Sequence, residues 1–222
     1  AASSGLTDNV PNLKRFEEFG AGAVVLKSLF EEEIRLEKEA KLAQMTSSGF
    51  IYPETLEFYD YHEDADHEST HQYLELVKKA KDKLSIPVIP SVNCVTSERW
   101  TFFPRELELA GADALELNVF IMPSDLNRTK EENEKIYFDI IREVTQQVKI
   151  PVALKISFYF SDLAIILKKF SETAIKSLVL FNRFYSPDID IDTMEVTTAS
   201  VLSNPGDFSN ALRWIAIMRD HV

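Results

Sequence analysis

Residues 67 to 71 read His67-Glu68-Ser69-Thr70-His71. On a helix this H-E-x-x-H spacing brings two imidazoles to one face, where they can share a zinc ion while the glutamate activates its water. A zincin needs a third ligand. The other histidines, His62 and His221, do not stand in a downstream metzincin-type extension, and His67 falls at the start of a helix beside the acidic run "HEDADHE" (62–68). The pattern reads as a chance match on a solvated surface, and no metal is expected.

A second set of residues suits a different chemistry. Short β-branched runs alternate along the chain with longer amphipathic stretches, the pattern of repeated βα units around a parallel sheet. The strand candidates are "AGAVVLKS" (21–28), "IPVIPSVNC" (86–94), "ALELNVF" (114–120), "IPVALKIS" (150–157) and "SLVLFNRF" (177–184). Helices are expected over 11–19, 29–44, 68–84, 98–110, 129–147, 161–173 and 207–219, with a long loop or hairpin over 186–206. The turns "AGA" at 21–23 and 110–112 mark passages from helix to strand.

Period-2 alternation sorts each strand into two faces. In "PVALKIS" Val152, Leu154 and Ile156 face helices, leaving Ala153 and Lys155 inside; in "ALELNVF" Leu115, Leu117 and Val119 face out and Glu116 and Asn118 in. The same rule puts Lys27, Asn93 and Asn182 inside. Successive strands thus deliver Lys, Asn, Asn, Lys and Asn to one mouth, near their C-terminal ends. Buried amides and ammonium groups are costly without partners, so a convergent set suggests a polar ligand. In a (β/α)8 barrel the C-terminal mouth is where active sites sit.

Composition narrows the class. The chain has 222 residues, 45% apolar and 27% charged, as in a soluble globular protein. Its formal charge of −12 argues against nucleic acid or an anionic membrane surface as partner. No apolar run approaches a membrane span and "AASSGLTDNV" lacks the features of a signal peptide, so a cytoplasmic location is expected. The single Cys94 excludes an intrachain disulfide framework and reads as a small buried residue. The runs "EEEIRLEKE" and "HEDADHE" read as solvated faces.

The strand-end residues also carry a family resemblance. "ASSGLT", "FEEFGAGAVVLKS", "GADALELN", "IPVALKIS" and "LVLFNR" follow one another as do landmarks of the FMN-dependent dihydroorotate dehydrogenases. They resemble in particular a divergent bacterial dihydroorotate dehydrogenase-like branch of that family. The resemblance implies a (β/α)8 TIM barrel, with this chain an incomplete barrel of about six βα units: a single domain over 1–222, truncated at both ends. It implies FMN across the mouth, a small planar substrate such as dihydroorotate, and a place in pyrimidine biosynthesis; a homodimer is left open. Ser3, Ser4 and Gly5 match the first-strand segment that packs on the flavin, and Lys27 and Ser28 the "KS" that touches flavin and substrate. Asn118 matches the first Asn of the family's N-x-S-x-P-N loop, Lys155 the lysine at the flavin pyrimidine edge, and Asn182 a substrate-facing Asn; Asn93 joins the flavin set. Lys155 and Asn118 are the expected catalytic residues, and Lys27, Asn118 and Asn182 the substrate ligands.

Three departures qualify this. "NVFIMPSD" (118–125) puts Ile121 where the family carries its Cys or Ser base, "MTSSGFIYPETLEFYDYHED" (45–64) replaces the usual Asn-containing substrate loop, and the glycine-rich phosphate loops are absent from a chain with six glycines. Ser124 and Cys94 are the alternatives if another group acts as base. Two rival readings use the same residues: a Schiff-base lyase, for which Lys155 sits at a suitable strand end, and a flavin-binding or metabolite-binding barrel without catalysis.

Overall fold

A computed structural model describes residues 1–32, 34, 36, 40, 68–93, 99–182, 187–198 and 205–222. Its elements run α1 (Val10–Glu18), β1 (Val24–Val25), β2 (Leu29–Phe30), α2 (Glu68–Lys83), β3 (Val88–Ile89), β4 (Ser91–Asn93), α3 (Arg99–Leu109), β5 (Leu115–Asn118), α4 (Lys130–Gln147), β6 (Val152–Ile156), α5 (Leu163–Ser171), β7 (Ser177–Leu180), β8 (Pro187–Asp190), β9 (Glu195–Thr198) and α6 (Asp207–Met218). The fold is mixed α/β, with a five-stranded sheet ordered β2-β4-β5-β6-β7 and six helices among the described residues. The pairs β1–β3, β2–β4, β4–β5, β5–β6 and β6–β7 are all parallel. Among the described residues each strand of the five-stranded sheet is added beside the last, with no reversal of the kind that marks a doubly wound sheet. That order is the one an incomplete (β/α) barrel would have.

The helix-to-strand passages follow from local chemistry. At the end of α3, Gly111 takes φ +97°, the left-handed region open to a residue without Cβ. There Ala112 N–H donates to Leu107 O at 3.2 Å and Gly111 N–H to Glu108 O at 3.0 Å, a Schellman cap. The end of α1 repeats it: Ala21 N–H reaches Phe16 O and Gly20 N–H reaches Glu17 O, both at 2.9 Å, with Gly20 at φ +88°. The punctuating residue of that "GAGA" stretch is thus Gly20, one step before the expected "AGA". Helix α4 starts with a capping box, Thr129 accepting from Glu132 N–H while Glu132 accepts from Thr129 N–H.

The apolar faces behave as alternation requires. Leu115, Leu117, Val152, Leu154 and Ile156 are fully or nearly buried in one cluster with Leu13 of α1, Tyr137, Ile140, Ile141 and Val144 of α4, and Leu163, Ile166, Leu167 and Phe170 of α5. Rings of Tyr137, Phe160 and Phe170 meet there at centroid distances of 5.2 to 6.1 Å. This cluster holds the sheet rigid from its outer side and leaves the other face to polar residues.

The first strand departs from regular pairing. Val25 stands opposite Ile89, but Leu29 stands opposite Val92, so the first strand spends one residue more than its neighbour between these pairs. Such a bulge re-aims side chains locally. Residues 29–30, expected to begin a helix, are instead the second half of this strand. On the neighbouring strand the ladder breaks between β3 and β4 at Pro90, which has no N–H to donate. The 187–198 segment resolves into the antiparallel hairpin β8–β9, one of the two forms expected for it.

Candidate active site

The inward residues form one hydrogen-bonded network near the C-terminal ends of the parallel strands. Its centre is Glu116, on the second residue of β5 and only 3% exposed. Ser91 Oγ donates to Glu116 Oε1 at 2.7 Å, and Lys155 Nζ approaches the same oxygen at 3.5 Å. Ser91 Oγ in turn lies 2.7 Å from Ser28 Oγ, which lies 3.2 Å from Ser3 Oγ. Asn118 Nδ2 donates to Ser28 Oγ at 3.4 Å, and Asn182 Nδ2 donates to Asn118 Oδ1 at 2.8 Å. Side chains from five strand segments and the N-terminal turn are therefore in one connected set.

The sheet register explains why these residues meet. Ser91 stands opposite Glu116, Asn118 opposite Lys155, and Phe30 opposite Asn93. Glu116 N–H is fixed by Pro90 O at 2.9 Å, and Asn182 N–H by Ile156 O at 2.7 Å. Behind Ser91 the Tyr73 hydroxyl of α2 donates to Ser91 O and accepts Ser91 N–H, each at 2.9 Å. Burial, with the nearby charge of Glu116 adding to it, pushes the Tyr73 phenol above the ordinary tyrosine range. Tyr73 thus serves as a neutral clamp that fixes the backbone from which Ser91 projects.

The expected residues are not all equivalent. Ser3, Ser28, Asn118, Lys155 and Asn182 are brought together. Lys27 is half-buried and its backbone N–H donates to Thr7 O at 3.1 Å, and Ser28 beside it joins the network through Ser91. Asn93 is half-buried at the end of β4. Ser4 and Gly5 lie in the exposed turn closed by Thr7, whose hydroxyl donates to Ser4 O at 2.9 Å. Ser91 and Tyr73 were not among the expected site residues, and Glu116 was expected only to face inward. A small serine on a strand carries little signal by itself, and a helical tyrosine reads as part of an apolar stripe.

The loop after β5 is also held in place. Ile121 is half-buried against the core, and its N–H donates to Tyr137 Oη at 3.2 Å. Burial pushes the Tyr137 phenol up to about 12, against the opposing pull of its hydrogen bonds with Ile121 and Ser157. Ser124 is exposed further along this loop. Cys94, His62, His67 and the 45–64 segment lie outside the described residues. His71 is exposed on α2, and among the described residues no group of three or more His, Cys, Asp or Glu is set to hold a metal ion. An open cavity of about 290 Å³ lies between the 125–128 loop and α4, lined by Asp125, Asn127, Arg128, Glu132, Lys135, Ile136 and Asp139; it shares no residue with the network. Among the described residues no helix is long and apolar enough to cross a membrane.

No family model matches the chain. It is 25% identical over 183 residues to the catalytic subunit of dihydroorotate dehydrogenase B (NAD(+)) of Methanocaldococcus jannaschii, covering 81% of this chain and 56% of that protein. To the same subunit of Methanocella arvoryzae it is 29% identical over 192 residues, covering 82% and 56%. The chain is a distant relative of these subunits and spans a little over half their length. Among solved structures it is similar to a phosphonopyruvate hydrolase complex with oxalate and Mg++, at a TM-score of 0.48 and 17% identity over 84% of this chain and 59% of that one.

Proposed function

We propose that this chain forms part of an FMN-dependent oxidoreductase of the dihydroorotate dehydrogenase-like type, which moves a hydride between a small planar substrate and flavin N5. The observation that carries the proposal is the Lys155 ammonium set beside the Asn118 and Asn182 amides at adjoining strand ends. The distant relationship to dehydrogenase subunits supports a catalytic barrel, and the donor set supports this chemistry on it.

The residues present fit the pyrimidine edge of a flavin. Lys155 spends one contact, at 3.5 Å, on Glu116, while an ammonium has three donors. It can therefore hold the N1 and O2 edge of the ring and supply the fixed positive charge that negative charge developing there requires. FMN, when bound, supplies the hydride acceptor. Asn182 offers both donor and acceptor to a planar amide or imide substrate, and Ser3 and Ser28 stand on the first-strand side of the same face. Isoleucine at 121 has no proton-accepting group, so removal of a proton from substrate carbon falls to another group or is slow. Dihydroorotate turnover is accordingly expected to be weak.

Absorbance of the purified intact protein tests the proposal. A flavin spectrum that is lost, or no longer bleached by any dihydropyrimidine, in Lys155→Ala supports it. Colourless protein in which Lys155 is trapped by borohydride with a carbonyl substrate would replace it with a Schiff-base lyase.

A further inference from the structure

The network has a direction, and one residue sets it. As a carboxylate Glu116 can only accept, so Ser91 must spend its single hydroxyl proton on Oε1 at 2.7 Å. In the 2.7 Å contact between Ser28 and Ser91, Ser28 is therefore the donor. With its own proton spent on Ser91, Ser28 can only accept from its other two neighbours, Ser3 Oγ at 3.2 Å and Asn118 Nδ2 at 3.4 Å. This turns Asn118 Oδ1 toward Asn182, which donates to it at 2.8 Å. Asn182 consequently keeps its Oδ1 outside the chain of bonds.

We propose that Glu116 is the positioning residue of this site: through Ser91, Ser28 and Asn118 it fixes Asn182 to present an acceptor oxygen, and so selects ligands that offer an N–H donor there, as cyclic amides and imides do. The ligand-facing half of the proposal rests on the function proposed above; the directed chain of bonds does not. Replacing the carboxylate by an amide removes the constraint. Gln at 116 can donate to Ser91, after which every bond can reverse, Asn118 can turn over, and Asn182 then accepts from Asn118 and presents N–H groups instead.

The test reads the side-chain amide signals of Asn182 by nitrogen–proton NMR in the flavin-free intact protein. Glu116→Gln is expected to shift the Asn182 signals, although four hydrogen bonds separate the two residues. In a Ser28→Ala background the same change should have no effect on Asn182, because the chain is cut. Unchanged Asn182 signals in Glu116→Gln, or an equal shift with and without Ser28, overturn the proposal. If Glu116→Gln fails to fold, Ser91→Ala replaces it: it removes the acceptor that Ser28 donates to, and the same shift is expected. For the ligand, calorimetric titration with orotate should show about tenfold weaker binding in Glu116→Gln, the loss of about one hydrogen bond of 1 to 1.5 kcal/mol. Equal orotate affinity in both proteins overturns the selection. Wild-type protein that passes the NMR test and ignores orotate counts against the proposed function and leaves the directed chain standing.

Discussion

Replacing Lys155 by Met should destabilise the protein through Glu116 and not through lost packing. Methionine keeps the length and apolar character of the lysine stem, so the change isolates the ammonium. Glu116 is 5% exposed at its side chain and Lys155 12%, with 3.5 Å between the charges. At an effective dielectric of about 20, two unit charges at that distance attract by roughly 5 kcal/mol before desolvation is counted. Removing one partner of a buried pair costs about 3 to 5 kcal/mol, because the other charge is left uncompensated. Here Glu116 keeps the hydrogen bond from Ser91 at 2.7 Å, and the ionic contact is long, so the loss should fall near the lower end, about 3 kcal/mol. Urea unfolding of the intact protein followed by circular dichroism reads this as a drop in midpoint at constant slope. Adding Glu116→Gln to Lys155→Met removes the stranded charge and should return about 2 kcal/mol. A Lys155→Met loss under about 1 kcal/mol, or no recovery in the double variant, would mean that Glu116 is not held as a buried carboxylate, and the direction assigned to the hydrogen bonds would fall with it.

Other expectations follow from the loop and helix around the site. Tyr137→Phe strands the N–H of Ile121, now bonded at 3.2 Å, and should cost about 1 to 2 kcal/mol near neutral pH in the same unfolding assay. The phenol's proton is held more tightly in the folded protein, at about 12 against about 10 unfolded. Its stabilising contribution is thus whole below pH 10 and is lost as pH rises from 10 through 12, a decline of about 3 kcal/mol. Because that decline exceeds the advantage at neutral pH, the wild type's lead over Tyr137→Phe should shrink across that window and reverse by its upper end; a constant difference would mean that the phenol is not buried as described. Thr129→Ala breaks the capping box of α4 and should cost about 1 kcal/mol by thermal or urea unfolding, with Thr129→Ser largely preserving it.

The strands and the outer core were legible because both rest on periodicity. Val152, Leu154 and Ile156 alternate with Ala153 and Lys155, and burial follows that alternation. Asn118 and Lys155 were legible by the same count and stand opposite each other in the ladder. What periodicity could not give is its own interruption. Counting by twos from Val24 puts Lys27 inside and Ser28 outside, but the extra residue before Leu29 shifts the phase and brings Ser28 into the network. Nothing in "VVLKSLF" announces a bulge, since no glycine or proline stands in it.

Glu116 was hidden for another reason. A glutamate inside an apolar strand reads as an oddity of facing, because its cost or value depends on partners far away in sequence: Ser91 is 25 residues before it and Lys155 39 after. Sequence gives the inward position; only assembled strands show that the carboxylate is paired and that its acceptor-only chemistry propagates outward. The same dependence bears on Ile121. The loop is tethered at that point, the Tyr137 hydroxyl accepting the Ile121 N–H at 3.2 Å, so under the proposed function a change at 121 tests side-chain type at a held backbone position. Placing Cys or Ser at 121 would add a proton-accepting group there, and a gain in dihydroorotate turnover from that single change would tie the proposed flavin chemistry to this loop.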